Sequence, residues 1–395
     1  MQTVTSKIID YKPIKEALTD ITAQSEYQSR YTHFCHVLTQ LKQNQSLTLT
    51  PASIQINMLP RETIQSTLWN KDSTVSHKNI ANLVLADIAL AKSLNSGKTE
   101  VEIGSLLPAK SKNLKLQSFY QHMSYSTPLL KQLLADQTNQ MSPLIKKALS
   151  HTRLTCLVSH TVGAETLQRL NSEYSSYKDQ LGANVFVSVC PKYSQDNKGC
   201  SPAEDEKRTE SIIKALGDLR VKKYISYAFN KEHHNQLIES IKYAESCEEL
   251  SLADTDGTAE LTDFAATFEC LQRENVDFSK VCIHLHADPA VSYEEAQKKC
   301  VAKMLFCIQV GIKRFDVSTL RSEKSPFSPI KGHHFSGNMT LGIALAVRGV
   351  LCNEINEAAA LLSMASVLED SIVMPSFKHS SMLLDRLPLP QTLVL

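Results

Sequence analysis

The chain of 395 residues is predicted to fold as an α/β TIM (β/α)8 barrel with an N-terminal helical extension and C-terminal helices. Three observations predict it. From Ser53 onward, short β-rich runs alternate with helical patterns of a dozen or more residues, which is how parallel βα units read. There are about eight such runs in roughly 300 residues, the number that closes a barrel. The length is also enough to bury one large core.

Taken in order, residues 1–50 carry an amphipathic stretch from Ile14 to Leu41 without a dense β signal, and they read as a helical addition. The barrel is expected over 51–352. Its candidate strands are SIQINML (53–59), TEVEIGSL (99–106), RLTCLVS (153–159), NVFVSVC (184–190), VKKYISYAF (221–229), EELSLAD (248–254), VCIHLHA (281–287) and KRFDVST (313–319). Helical runs lie between them at 80–94, 164–181, 203–216, 234–244, 260–273 and 293–310, with Gly311 where a helix C-cap belongs. The connection from Leu107 to Thr152 is too long for a bare loop and predicts one or two further helices. After Thr319 a loop leads to helical runs at 338–352 and 354–368, and 353–395 forms a C-terminal helix and tail.

Composition excludes several function classes. A formal net charge of +1 with interspersed signs gives no basic stripe for nucleic acid. No apolar run approaches the roughly 20 residues of a membrane span, and the N-terminus lacks the apolar core of a signal peptide, so a cytoplasmic protein is expected. Ten cysteines without a CxxC pair read as reduced small hydrophobes.

The chemistry concentrates at strand ends. In IHLHADP (283–289), His284 and His286 stand two residues apart, so a strand projects both imidazoles from one face. At a barrel mouth such a pair can ligate one metal if a carboxylate joins it, or it is a hydrogen-bonded polar pair at a strand end. The first strand runs into Leu59-Pro60-Arg61-Glu62, a cation and a carboxylate side by side. Arg61 suits stabilisation of a developing enolate and Glu62 a third ligand, although an isolated Arg-Glu is usually a solvated pair.

These pieces, INMLPRETIQ (56–65), Val101-Glu102-Ile103-Gly104-Ser105, NKGCSPAEDEKRTESI, ELSLADTDGT, IHLHADP and FSGNMT, occur in an order that resembles the hydroxymethylglutaryl-CoA lyases over roughly residues 53–352. The wider set is the metal-dependent barrel lyases and Claisen-condensing enzymes. The resemblance implies a divalent metal, Mg²⁺ or Mn²⁺, held by Glu62, His284, His286 and Asn338. It implies catalytic roles for Arg61, Glu102, Asp254 and Ser325, and substrate contacts from Gln65, Thr255, His333 and His334. Glu102 and Asp254 could equally hold Arg61 or cap the next helix. The implied activity is cleavage of a carbon–carbon bond in a 3-hydroxy-3-methylglutaryl-CoA-like substrate, by a homodimer acting on a small acyl-CoA or hydroxy acid. The alternatives are a Claisen-type condensation of an acyl-CoA with a 2-oxo acid, or a barrel that has lost catalysis and serves as a binding protein.

The chain departs from the lyases at three places. The metal-binding aspartate is Glu62, one methylene longer. The catalytic cysteine of the loop after the eighth strand is Ser325, whose hydroxyl exchanges protons near neutral pH only with a helper, for which His333 and His334 are nearest. Ala287-Asp288 replaces Asp-Thr, which is closer to the condensing synthases, while Ser336-Gly337-Asn338 keeps the lyase form.

Overall fold

Eight strands, each hydrogen-bonded in parallel to the next, close into a barrel in sequence order. The structure is a computed structural model that describes residues 54–62, 84–95 in part, 97–106, 149–158, 168, 172, 179–244, 246–288, 290–291, 293–318 and 338–352. The expected N-terminal extension (1–50), the helices expected between 107 and 148 and the segment 353–395 lie outside these residues, as do Gln65, Ser325, His333 and His334.

The strands are β1 (Gln55–Met58), β2 (Thr99–Leu106), β3 (Thr152–Val158), β4 (Leu181–Ser188), β5 (Arg220–Ser226), β6 (Glu249–Asp254), β7 (Val281–Leu285) and β8 (Arg314–Val317). All eight expected strands are present. The fourth begins three residues before the β-branched run that signalled it, so Leu181 opens a strand instead of ending a helix. Pairing of β1 with β8, Asn57 opposite Asp316, closes the ring. On β2 the register shifts between Glu102 and Gly104, the kind of irregularity that re-aims side chains at barrel rims.

The described crossover helices are α1 (Pro202–Leu216), α2 (His234–Lys242), α3 (Leu261–Arg273) and α4 (Tyr293–Gln309), and α5 (Leu341–Leu351) follows β8. Local chemistry fixes their ends. Ser201 caps α1 through the Glu204 amide while Glu204 reaches back to the Ser201 amide, with Pro202 in the first turn. Gly311 takes φ +104° after α4, and its amide returns to the Ile308 carbonyl.

Strand parity sorts the side chains into an outer apolar layer and a polar interior. Val185, Val187, Ile225, Leu252, Ile283, Leu285 and Phe315 are buried in apolar clusters that the helices help to build. One outward residue is a cation: Lys223 is fully buried between α1 and α2, paired with Glu206 and donating to the Ser240 carbonyl at 2.6 Å.

Inside, each strand contributes one member of a connected polar ring: Asn57, Glu100, Thr155, Asn184, Lys222, Ser251, Cys282 and Asp316, all buried. Lys222 Nζ lies 2.8 Å from Glu100 Oε1 and 3.1 Å from Asp316 Oδ1. Asp316 also accepts from Asn57 (3.1 Å), Ser251 (2.9 Å) and Cys282 (3.1 Å), and Glu100 accepts from Thr155 (3.0 Å) and Asn184 (2.8 Å). Barrel interiors are more often filled by branched apolar residues. Here burial works against the charges, but Lys222 outweighs it and holds Asp316 down at about 2, and Asp316 with Glu100 keeps Lys222 protonated.

Candidate active site

The site sits above this ring, at the C-terminal ends of the strands. Leu59 N bonds to the Val317 carbonyl, and Pro60 starts a helical turn that brings Arg61 and Glu62 over the mouth, both buried. Arg61 Nε donates to Glu102 Oε1 at 2.5 Å, and its Nη1 lies 2.6 Å from Glu62 Oε1. Asn184 Nδ2 holds the other Glu102 oxygen at 2.5 Å, which links the site to the ring below. Burial opposes the guanidinium charge, yet Glu102 and Glu62 keep it firmly protonated. Burial likewise opposes ionisation of Glu62, but Arg61, His284, His286 and a hydrogen bond with Asn338 hold its carboxyl below the usual range.

His284 and His286 meet edge to face, ring centroids 4.7 Å apart, with their Nε2 atoms 3.1 Å from each other. His286 Nδ1 donates to the Asp254 carbonyl at 3.0 Å, which orients the ring and turns its Nε2 toward His284. Burial, then the neighbouring His286, pushes His284 down to about 3, and its Nδ1 is buried without a hydrogen-bond partner among the described residues. Asn338 arrives by backbone pairing: it bridges His286, and the Met339 amide bonds to the Leu285 carbonyl at 2.8 Å. The sequence pattern had placed Asn338 at the start of a helix; the helix starts at Leu341, and Asn338 belongs to the extended segment that brings it to the mouth.

Glu102 thus grips Arg61, whereas Asp254 is turned the other way. Lys303 of α4 donates to Asp254 Oδ2 at 2.6 Å and to the Gly257 carbonyl at 2.8 Å, and the ammonium stays protonated against burial because Asp254 faces it. Thr255 Oγ1 accepts from the Tyr227 amide at 2.8 Å and so ties the ends of β5 and β6 together. Asp288 pairs with Lys299 at 2.8 Å.

Sequence reasoning passed over several participants. Tyr224 lies edge-on to His284 at 5.2 Å and is buried beside Arg61 and Glu62. Asn184, Lys222 and Glu100 support Glu102 from below. The available signal was parity: Lys222 and Tyr224 stand two apart on β5 and so share one face, although RVKKYIS is too polar to say from its pattern that this face is the inner one.

The donors suit a divalent ion at the imidazole pair. Two ligands at about 2.1 Å on neighbouring octahedral positions stand about 3.0 Å apart, which is close to the spacing of the two Nε2 atoms. Four buried carboxyl groups, Glu62, Glu100, Glu102 and Asp316, lie with the two buried cations Arg61 and Lys222 at and beneath this mouth, and burial pushes the Glu102 carboxyl up toward its neutral form. Among the described residues, no three His, Cys, Asp or Glu side chains already converge as a finished cage, because Glu62 is turned onto Arg61.

A closed parallel barrel whose strand ends carry a buried arginine, a carboxylate and facing imidazoles is the architecture of barrel enzymes that work at the C-terminal rim. No protein-family profile and no curated protein sequence matches the chain. Solved structures do. The hydroxymethylglutaryl-CoA lyase of Pseudomonas aeruginosa is 18% identical with a TM-score of 0.58, over 85% of this chain and 99% of that one. The Bacillus subtilis lyase is 19% identical with a TM-score of 0.57, over 82% and 96%. The Acinetobacter baumannii lyase, solved with coenzyme A and 3-methylmalate, is 16% identical with a TM-score of 0.54, over 82% and 93%. The fold is that of the hydroxymethylglutaryl-CoA lyases. Among the described residues, no helix is long and apolar enough to cross a membrane.

Proposed function

We propose that the chain is a divalent-metal-dependent carbon–carbon lyase acting on a 3-hydroxyacyl substrate of the hydroxymethylglutaryl-CoA type. The observation that carries the reading is the pair of imidazole Nε2 atoms, 3.1 Å apart, beside the buried Arg61–Glu62–Glu102 group. His284 and His286 would hold the ion, Mg²⁺ or Mn²⁺, with Glu62 and Asn338 completing its protein ligands. When bound, the ion supplies Lewis acidity toward the substrate's hydroxyl and carbonyl oxygens.

The chain's own residues account for the rest. In the reaction the 3-hydroxyl gives up its proton, the C2–C3 bond breaks, its electron pair becomes the enolate of the C2 fragment, and C2 is then protonated. Arg61, fixed by Glu102 and kept charged in a dry site, stabilises the enolate oxygen without reorganising. Glu102 positions that guanidinium, and Asn184 positions Glu102. Asp254 supports His286 through its main-chain carbonyl while Lys303 occupies its carboxylate. Ser325, with His333 or His334, is assigned the proton transfers.

The test is Mn²⁺ titration followed by electron paramagnetic resonance of the unbound ion, together with acetyl-CoA release from 3-hydroxy-3-methylglutaryl-CoA. Wild type is expected to bind Mn²⁺ and to release acetyl-CoA, and His284→Ala with His286→Ala to do neither. Mn²⁺ binding that survives the double substitution would sink the metal assignment.

A further inference from the structure

A run of aromatic rings on β4, β5 and the turns that follow them begins at the imidazole pair. Tyr224 touches His284 edge-on at 5.2 Å; Phe186 lies 5.6 Å from Tyr224, Tyr193 6.2 Å from Phe186, and Tyr227 5.3 Å from Tyr193. Phe186 shares the inner face of β4 with Asn184, near the strand's C-terminal end, and is half-buried.

A second observation is independent of these ring contacts. Tyr227, at the end of β5, has φ +59°, a left-handed conformation that is an outlier for so bulky a residue. It is held there by its amide's bond to Thr255 Oγ1, and strain of this kind collects at functional sites. The conformation sets a half-buried tyrosine ring against Tyr193, where a glycine would have cost nothing in backbone terms.

We propose that Phe186, Tyr193 and Tyr227 form the acyl subsite and that the substrate carries an aryl or similarly flat apolar group next to its hydroxy acid head. The inference rests on the site reading given above and names its substrate class. The wall reaches the imidazole pair through Tyr224, one ring away, so it is assigned to the group beside the reacting carbon and not to the nucleotide end of a thioester carrier. Flat rings gain from edge and offset contacts with aromatic walls, while a methyl group leaves most of such a wall wet.

The test compares 3-methylmalate with 3-benzylmalate, which share one diacid head, by isothermal titration calorimetry on the Mn²⁺-loaded full chain. Wild type is expected to bind the benzyl acid about ten-fold tighter, the scale of one buried aromatic contact. In Tyr227→Gly, which relieves the φ strain and so keeps the fold, that ratio is expected to fall toward one; Phe186→Leu is the second variant. Binding of 3-methylmalate with no gain for the benzyl acid overturns the aromatic subsite and leaves the site reading standing. Binding of neither acid overturns both. A gain for the benzyl acid that persists undiminished in both variants overturns the assignment to this wall.

Discussion

Arg61, in the helical turn after β1, and Glu102 on β2 form a buried ion pair, Nε to Oε1 at 2.5 Å, in which each partner is under 5% exposed. Removing Glu102 leaves the buried guanidinium with Glu62 and without the carboxylate that faces its Nε. Glu102→Leu is expected to cost about 3–5 kcal/mol of stability, measured by urea unfolding, because breaking such a pair is far costlier than never having built it. A loss below about 1 kcal/mol, the scale of an exposed pair, would contradict this account.

Lys303 and Asp254 make the same argument testable as a cycle. Lys303→Met alone is expected to destabilise by about 3–5 kcal/mol, and adding Asp254→Asn is expected to recover much of it, since the stranded carboxylate is gone. Additive losses would mean that the two side chains do not depend on each other.

Asp316 sets an acid limit. Its carboxyl is held at about 2, below its ordinary 3.8, so the folded state releases this proton more readily than the unfolded chain does. The stability it contributes, about 2 kcal/mol, is full above the unfolded value and is lost as pH falls from about 4 through about 2. Asp316→Asn is expected to be less stable at neutral pH and to show a shallower decline across that window in circular-dichroism titrations. An unchanged slope would rule out this assignment.

Gly257 lies beside the proposed metal site without supplying a ligand to it. It has φ +75°, and a Cβ there would stand 2.4 Å from the Ala287 carbonyl oxygen, next to His286. Gly257→Ala is expected to lose at least about 2 kcal/mol by adding a clash to a left-handed strain. It is also expected to weaken Mn²⁺ binding about ten-fold, the scale of an outer-shell disturbance. A variant that unfolds earlier but binds Mn²⁺ as tightly would place this loop outside the site.

Much of this architecture was legible in the chain, for physical reasons. Strands such as VCIHL and ELSLAD announce themselves because both faces are buried, and α1 because Ser201-Pro202 and Glu204 write its start into the sequence. His284 and His286 were found because period-2 geometry forces them onto one face. Asn338 reads as helical in the local pattern because its extended conformation comes from pairing with His286, a contact about fifty residues distant that no local pattern encodes. Lys222, Glu100 and Asp316 escaped for the same reason: each reads alone as an ordinary charge, and only barrel closure makes them partners.

The polar ring also acts as a proofreader of assembly. Every strand supplies one member, and a slip of one residue in any strand would turn that member outward into the apolar layer and leave its partners unpaired inside. An apolar interior tolerates a shifted neighbour; an ionic one rejects it. A seven-strand intermediate lacking β1 or β8 would leave the ring unclosed, with Lys222 and its carboxylates open to water or short of a partner. The ring that carries charge beneath the mouth therefore also counts the strands, and it rewards only the complete barrel.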